Sequence, residues 1–160
     1  MRLSVKVSLA THILLATHFF AGTARITGKI LTLSTGGNPV VIRTIVLALK
    51  KAGILEVTRG AAGGTRLKRP PEEITLYDIY RAVDSESLEL SLKGIHAHSS
   101  PVCPIGQRIV PIMSEAYGKL AEAIRGEMSK VSLLSLSRDF TPDEIARHQA
   151  LLLRNFPTVP

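Results

Sequence analysis

The chain has 160 residues, 45% of them apolar, which is enough to bury one core of ordinary size with an appended helical element. A single cysteine excludes an internal disulfide and cannot by itself complete a thiolate-rich metal site, so a reducing cytoplasm is the expected setting. The formal charge of +7 is unevenly divided: residues 1–71 hold eleven Lys and Arg against one acid, Glu56, a balance of +10, whereas residues 72–160 hold nine against twelve, a balance of −3. A basic half joined to a mildly acidic half points to a polyanion-binding module beside a module with another task; a basic surface with no partner is the plainer alternative.

Arg2 and Lys6 precede an uncharged run from Val7 to Ala24 that superficially resembles a signal peptide. Ser8, Thr11, His12, Thr17 and His18 interrupt it at a density that suits neither a secretory core nor a membrane span. Leu3, Val7, Ala10 and Leu14 recur at helical spacing, so the segment is expected to be a core-forming first helix. His12 and His18, six residues apart, fall on different faces, which argues against a metal pair.

A short second helix is expected over Ile26–Thr35, with Thr27 able to cap it and Ile30 and Leu31 facing inward. Gly36 and Gly37 permit a sharp turn. Asn38-Pro39 is a strong start signal for a third helix, because the asparagine can accept from a first-turn amide and proline lacks only a donor that would be unpaired anyway. Ile42, Ile45, Val46 and Leu49 form its buried stripe and leave Asn38, Val40, Arg43, Thr44 and Lys50 on the other side. Two helices joined by so short a turn match a helix-turn-helix, whose second helix sets its N-terminal residues at base edges in the major groove; an unrelated helical hairpin is the alternative.

Gly53 ends the third helix. Leu55–Thr58 alternates like a strand, residues 59–64 supply a turn, Thr65–Lys68 can return as the paired strand, and Pro70 and Pro71 terminate the hairpin. The glycines of the loop lack the lysine and the following helix of a phosphate loop. Arg59 and Arg66 instead flank a slim tip suited to a minor groove, whose negative potential attracts arginine. The candidate DNA-contacting set is Thr27, Asn38, Pro39, Val40, Arg43, Thr44, Lys50, Arg59, Gly60, Thr65 and Arg66.

N-P-V-V-I-R (38 to 43), A-G-I-L (52 to 55), R-G-A-A-G-G-T-R-L (59 to 67) and R-P-P-E-E-I-T-L-Y-D-I-Y-R-A-V (69 to 83) together resemble the bacterial winged-helix regulators that include IscR, NsrR and CymR. With C-P-I-G (103 to 106), the chain looks most like the YwnA-like branch without a full set of iron-sulfur cysteines. The likeness covers residues 3 to 136. It implies a mainly α fold with a small β-hairpin wing, and a homodimeric transcription regulator, most often a repressor, that binds double-stranded DNA. It also implies that the start of the helix from Pro39 and the wing Arg59 carry DNA contacts. The sequence departs from the family at Thr32, where a small apolar residue is usual, and at Gly36-Gly37, which would loosen the turn.

A fourth helix is expected over Glu72–Ala82, with Ile74, Leu76 or Tyr77, Ile79 and Val83 as its apolar side. Residues 85–103 read as a linker or effector loop. In cluster-bearing relatives three cysteines of this region hold an iron-sulfur cluster, and here Cys103 resembles the last of them and stands alone, so no cofactor is expected. His96, His98 and Cys103 form a weak three-donor pattern in a loop and are not assigned as a metal site. Pro104 after Cys103 suggests that the cysteine caps the next helix, as a thiol sensor or as a mute cap.

The longest helical run is Pro104–Met128, in which Ile105, Ile109, Ile112, Ala116, Leu120 and Ile124 form an apolar seam suited to a two-fold dimer. Pro111 is expected to kink or divide it. A short helix over Val131–Leu136 is expected to return to the dimer, and Thr141-Pro-Asp-Glu144 starts a last helix to about Arg154. The domains are therefore 1–84, the winged head; 85–103, the linker; 104–136, the dimerisation helix with its return; and 137–160, the tail. A protein-interaction adaptor without DNA readout, and a thiol or metal enzyme centred on Cys103, are the competing functions. The enzyme lacks a placed base, and an adaptor has no need of the +10 charge of residues 1–71.

Overall fold

The computed structural model describes residues 4–23, 25–58, 60, 63–84, 94–95 and 102–155. The elements run α1 (Val5–Phe19), α2 (Gly28–Thr35), α3 (Pro39–Lys51), β1 (Leu55–Thr58), β2 (Gly64–Leu67), α4 (Leu76–Val83), α5 (Pro104–Lys130), α6 (Leu133–Ser137) and α7 (Pro142–Asn155). The fold is mainly helical with one two-stranded antiparallel hairpin.

Each helix of the head starts where a short polar side chain can accept from a first-turn amide. Ser4 accepts from the Lys6 N–H, Thr27 from Ile30 and Asn38 from Val40. The second helix begins at Gly28, two residues later than its apolar pattern suggests, because Thr27 is its cap. Gly36 closes it in the left-handed region at φ 62°, and a β-carbon on Gly37 would lie 3.1 Å from Ile42 Cδ1. The Gly36-Gly37 pair is therefore a fitted turn, further tied by the Thr35 hydroxyl, which donates to the Leu31 carbonyl at 2.7 Å and accepts from the Gly37 N–H at 3.3 Å.

Ala10, Ile13 and Leu14 of α1 meet Leu31, Ile42, Leu49, Leu55 and Ile79 in a single core. Thr17, also buried, satisfies its hydroxyl by donating to the Ile13 carbonyl at 2.8 Å, so a polar residue costs α1 little in the interior. No single described helix is long and apolar enough to cross a membrane; α2 and α3 reach that composition only jointly, across a 115° bend.

The fourth helix starts at Leu76, not Glu72. The segment after Pro70 is a turn, with the Glu73 N–H donating to the Pro70 carbonyl, and Thr75 and Asp78 form a reciprocal capping box. Pro111 does not divide α5, which runs unbroken for 27 residues. The chain then returns to its own head: Thr75 and Ser132 form an antiparallel bridge, the Leu76 N–H donates to the Val131 carbonyl, and the Leu133 N–H donates to Ile74. Leu133 is fully buried in the head core, so the return helix docks within the protomer, where the sequence pattern had suggested the dimer.

The tail is a packing element. Thr141 and Glu144 build the expected capping box, and the backbone and hydroxyl of Thr141 hold the Glu144 carboxylate below its ordinary pKa. The Gln149 side chain donates to the Phe19 carbonyl at 2.9 Å, and Phe140 meets Phe19 edge-on. Between α1 and α7 lies a mostly apolar groove of about 1110 Å³ that includes Val5, Leu33, Ile145 and Leu151. At its rim His12 lies 3.2 Å from the Ser34 hydroxyl, and partial desolvation lowers its pKa below 6.5.

Replacing Leu133 with alanine should cost about 2–5 kcal/mol through the cavity it leaves, and Thr75→Ala about 1 kcal/mol through the lost cap. Urea unfolding of the two variants checks this; a loss below about 1 kcal/mol for Leu133→Ala would show that α6 is not integral to the head.

Candidate nucleic-acid interface

The buried stripe Ile42, Ile45 and Leu49 turns the opposite side of α3 to solvent. That outward side carries Val40, Thr44, Leu47 and Lys51, with Arg43 and Lys50 along one flank, all exposed. A groove of about 540 Å³ runs beside it, lined by Lys29 and Thr32 of α2, Pro39, Arg43 and Lys50 of α3, and Val57 of β1, among others. Three cations on two helices thus border one concave surface, the arrangement that a phosphate backbone requires. Lys29 was not among the sequence candidates; its only local signal is a charge at the start of α2.

The hairpin pairs Leu55 with Leu67, Glu56 with Arg66, Val57 with Thr65 and Thr58 with Gly64. The second strand starts at Gly64, one residue earlier than expected. Arg66 and Glu56 form a cross-strand ion pair, N to O 2.8 Å, although the arginine side chain remains 71% exposed. Both ends of this pair are solvated, so it orients Arg66 and contributes little to stability.

Arg25 ties the wing to the body of the head. Its guanidinium donates to the Gly60 carbonyl at 2.6 Å and also to the Gly63 carbonyl. Next to it, the Thr65 N–H donates to the Ile26 carbonyl at 2.8 Å. Gly60 sits at φ 98°, a conformation that side-chain-bearing residues rarely adopt. Nothing in the local sequence marks Arg25, because its partners lie 35 and 38 residues away.

The remaining sequence candidates divide as follows. Asn38 and Thr27 act as caps, with Asn38 and Pro39 exposed and Thr27 half-buried. Thr44 is exposed, but its hydroxyl donates to the Val40 carbonyl at 2.9 Å. Thr65 is buried opposite Val57 near the loop end of the ladder, and lines the inner wall of the groove beside α3. Arg59 lies outside the described residues, as do His96 and His98. Cys103 precedes α5 and is half-buried, yet its side chain makes no capping bond; the Pro104 ring at the first position, rather than the thiol, marks the helix start.

The family model described as Rrf2, iron-dependent transcriptional regulator, matches residues 3–139. The chain belongs to the Rrf2 family. It is a transcriptional regulator of the DNA-binding, winged-helix type, and not an enzyme. YwnA of Bacillus subtilis (strain 168), named as an HTH-type transcriptional regulator, is 31% identical over 128 residues, 80% of this chain and 91% of YwnA. The fold is shared with T. potens IscR (TM-score 0.63, 20% identity, 87% of this chain and 88% of IscR). It is shared also with the oxidised form of Staphylococcus aureus CymR (TM-score 0.62, 24% identity, 86% and 96%). The motif likeness in the sequence is thereby confirmed at family level.

The family description mentions iron, but the donors of this Rrf2 chain do not fit a thiolate-held cluster, since Cys103 is its one cysteine. Among the described residues no group of three His, Cys, Asp or Glu could hold a metal ion.

Arg25→Ala should loosen the wing without unfolding the head. Amide exchange at Gly63 and Thr65 should rise on the order of tenfold while the unfolding midpoint changes little; unchanged exchange would show that the arginine tether does not hold the wing.

Proposed function

We propose that this Rrf2 protein is a cytoplasmic, homodimeric, sequence-specific repressor, in which α3 reads the major groove and the wing, with Arg66 and Arg59, tracks the neighbouring minor groove. The observation that carries the reading is the outward side of α3, unobstructed by any described residue and flanked by Lys29, Arg43 and Lys50 within a segment, residues 1–71, of charge +10. Arg43 carries the fork of donors that matches guanine, while Lys50 neutralises phosphate as a point charge.

Dimerisation is supported by α5. Its second half packs on its own head through Ala121, Met128 and the half-buried Ile124. Arg125, from the same half, lies 5.9 Å from the Tyr77 ring centroid. Ahead of Ala121, α5 leaves Ile105 (74%), Ile112 (54%) and Leu120 (51%) exposed, with Ala116 exposed and Ile109 half-buried among them. The proposed dimer seam is accordingly Ile105 to Leu120, and Ile124 is assigned to the protomer. A solvated apolar row of this length on a single helix is stabilised by a two-fold copy of itself.

Equilibrium binding to a selected operator tests both parts. Affinity of the wild type should fall steeply with salt, in proportion to the phosphates contacted. Arg43→Ala should lose about 1–3 kcal/mol on the operator and relax its sequence preference, whereas Lys50→Ala should weaken all duplexes alike and flatten the salt slope. Ile112→Glu should yield monomers by sedimentation and abolish operator binding at concentrations where the wild type is saturated. Salt-independent binding, or a tight complex formed by an Ile112→Glu monomer, would contradict the proposal.

Redox control through Cys103 is the finer part of this reading. It is favoured by the position of the thiol at the junction of the linker and the dimer helix, and by the existence of an oxidised form of a CymR of the same fold. Diamide should release the wild type from its operator and leave Cys103→Ser bound; equal release of both proteins would rule the cysteine out as the sensor.

A further inference from the structure

The outward side of α3 is unexpectedly apolar for a surface meant to meet a polyanion. Val40 is 73% exposed and Leu47 55% exposed, and with Thr44 they follow the i, i+4, i+7 spacing that aligns side chains along one line of the helix. Ile42, Ile45 and Leu49 already complete the inward side, so the core makes no use of Val40 or Leu47. Thr44 does not restore polarity as a donor. Its hydroxyl proton is directed to the Val40 carbonyl at 2.9 Å, so toward solvent the residue offers its methyl group and an oxygen lone pair. The first two turns of that side therefore present a valine, a threonine and a leucine in a row, with Lys51 ending the row and Arg43 and Lys50 to one side.

Among the groups that base pairs display in the major groove, one gains from contact with such a row: the C5-methyl of thymine. Resting on the DNA-binding reading above, we propose that α3 selects thymine through its methyl groups, with Val40 as the specificity-determining residue and the Thr44 methyl beside it. Arg43, one position along the same turn, takes the adjacent guanine. The half-site is thus defined by a methyl contact next to a bidentate contact. A cytosine at the methyl position would leave Val40 facing a solvated amino group with nothing to offer it.

Exposed valine near the start of a helix can be shortened without loss of core, and alanine is the better helix former, so the test does not depend on a fragile variant. A duplex chosen by the wild-type protein from a random pool is remade with each thymine in turn replaced by uracil, which removes the methyl and keeps every hydrogen-bonding group. The wild type should lose roughly three- to fivefold in affinity at one or two positions per half-site, the worth of one methyl group taken from water. Val40→Ala should bind the thymine duplex more weakly by a similar factor and should no longer distinguish uracil from thymine there. Equal uracil sensitivity of wild type and Val40→Ala would overturn the assignment to Val40. Full affinity of the wild type for every uracil duplex, with sequence selection and salt dependence intact, would overturn methyl readout while leaving DNA binding standing. Failure to select any sequence would remove the DNA-reading function itself and this inference with it.

Discussion

The burial of Ile42, Ile45 and Leu49 against α1 and α4 is the constraint on which the rest depends. A helix with one apolar stripe has one rotational setting in which that stripe leaves water, and in α3 that setting turns Val40, Thr44 and Leu47 outward. The helix-turn-helix angle is held from the other end by Gly36, whose left-handed backbone disfavours a side chain, and by Gly37, where a β-carbon would press on Ile42 Cδ1 at 3.1 Å. The side of α3 assigned to DNA in the proposed function is thus set by core packing.

The wing adds polar ties to apolar anchoring: Leu55 lies in the core and Leu67 packs against it. Its two strands are four residues each, and a hairpin of that size is marginal alone. It is stabilised by polar ties to the α1–α2 loop, the Arg25 guanidinium on the Gly60 and Gly63 carbonyls and the Thr65 amide on the Ile26 carbonyl. The Arg66–Glu56 pair, solvated at both ends, orients the wing's arginine without anchoring it.

The long helix links the head to whatever lies beyond it. Its C-terminal half and the short α6 are parts of the head, with Leu133 as deeply buried as any residue of α1. Its N-terminal half projects an apolar row and begins at the lone cysteine. Its C-terminal half packs on α4, with Arg125 5.9 Å from the Tyr77 ring centroid, and α4 in turn packs on α3. The tail, outside the family match, adds a second brace along α1.

Much of this protein was legible in its residues. Asn38-Pro39, the stripe of α3, the glycine-tipped hairpin and the Thr141–Glu144 box are local signals, and local signals survive because caps and amphipathic periods act over fewer than eight residues. The family followed from their order. What the sequence could not disclose were contacts between distant positions: Arg25 with the wing, α6 with its own head in place of a partner, Thr65 as a buried strand residue, and Ile124 as part of the protomer. An apolar seam reads the same whether its partner is the same chain or another, and a lone arginine reads the same whether or not a carbonyl lies 35 residues away. The side chains alone therefore determined which elements form and which surface is charged; only tertiary packing decided which of those side chains remain free to meet DNA, because burial is a property of neighbours brought together by the fold.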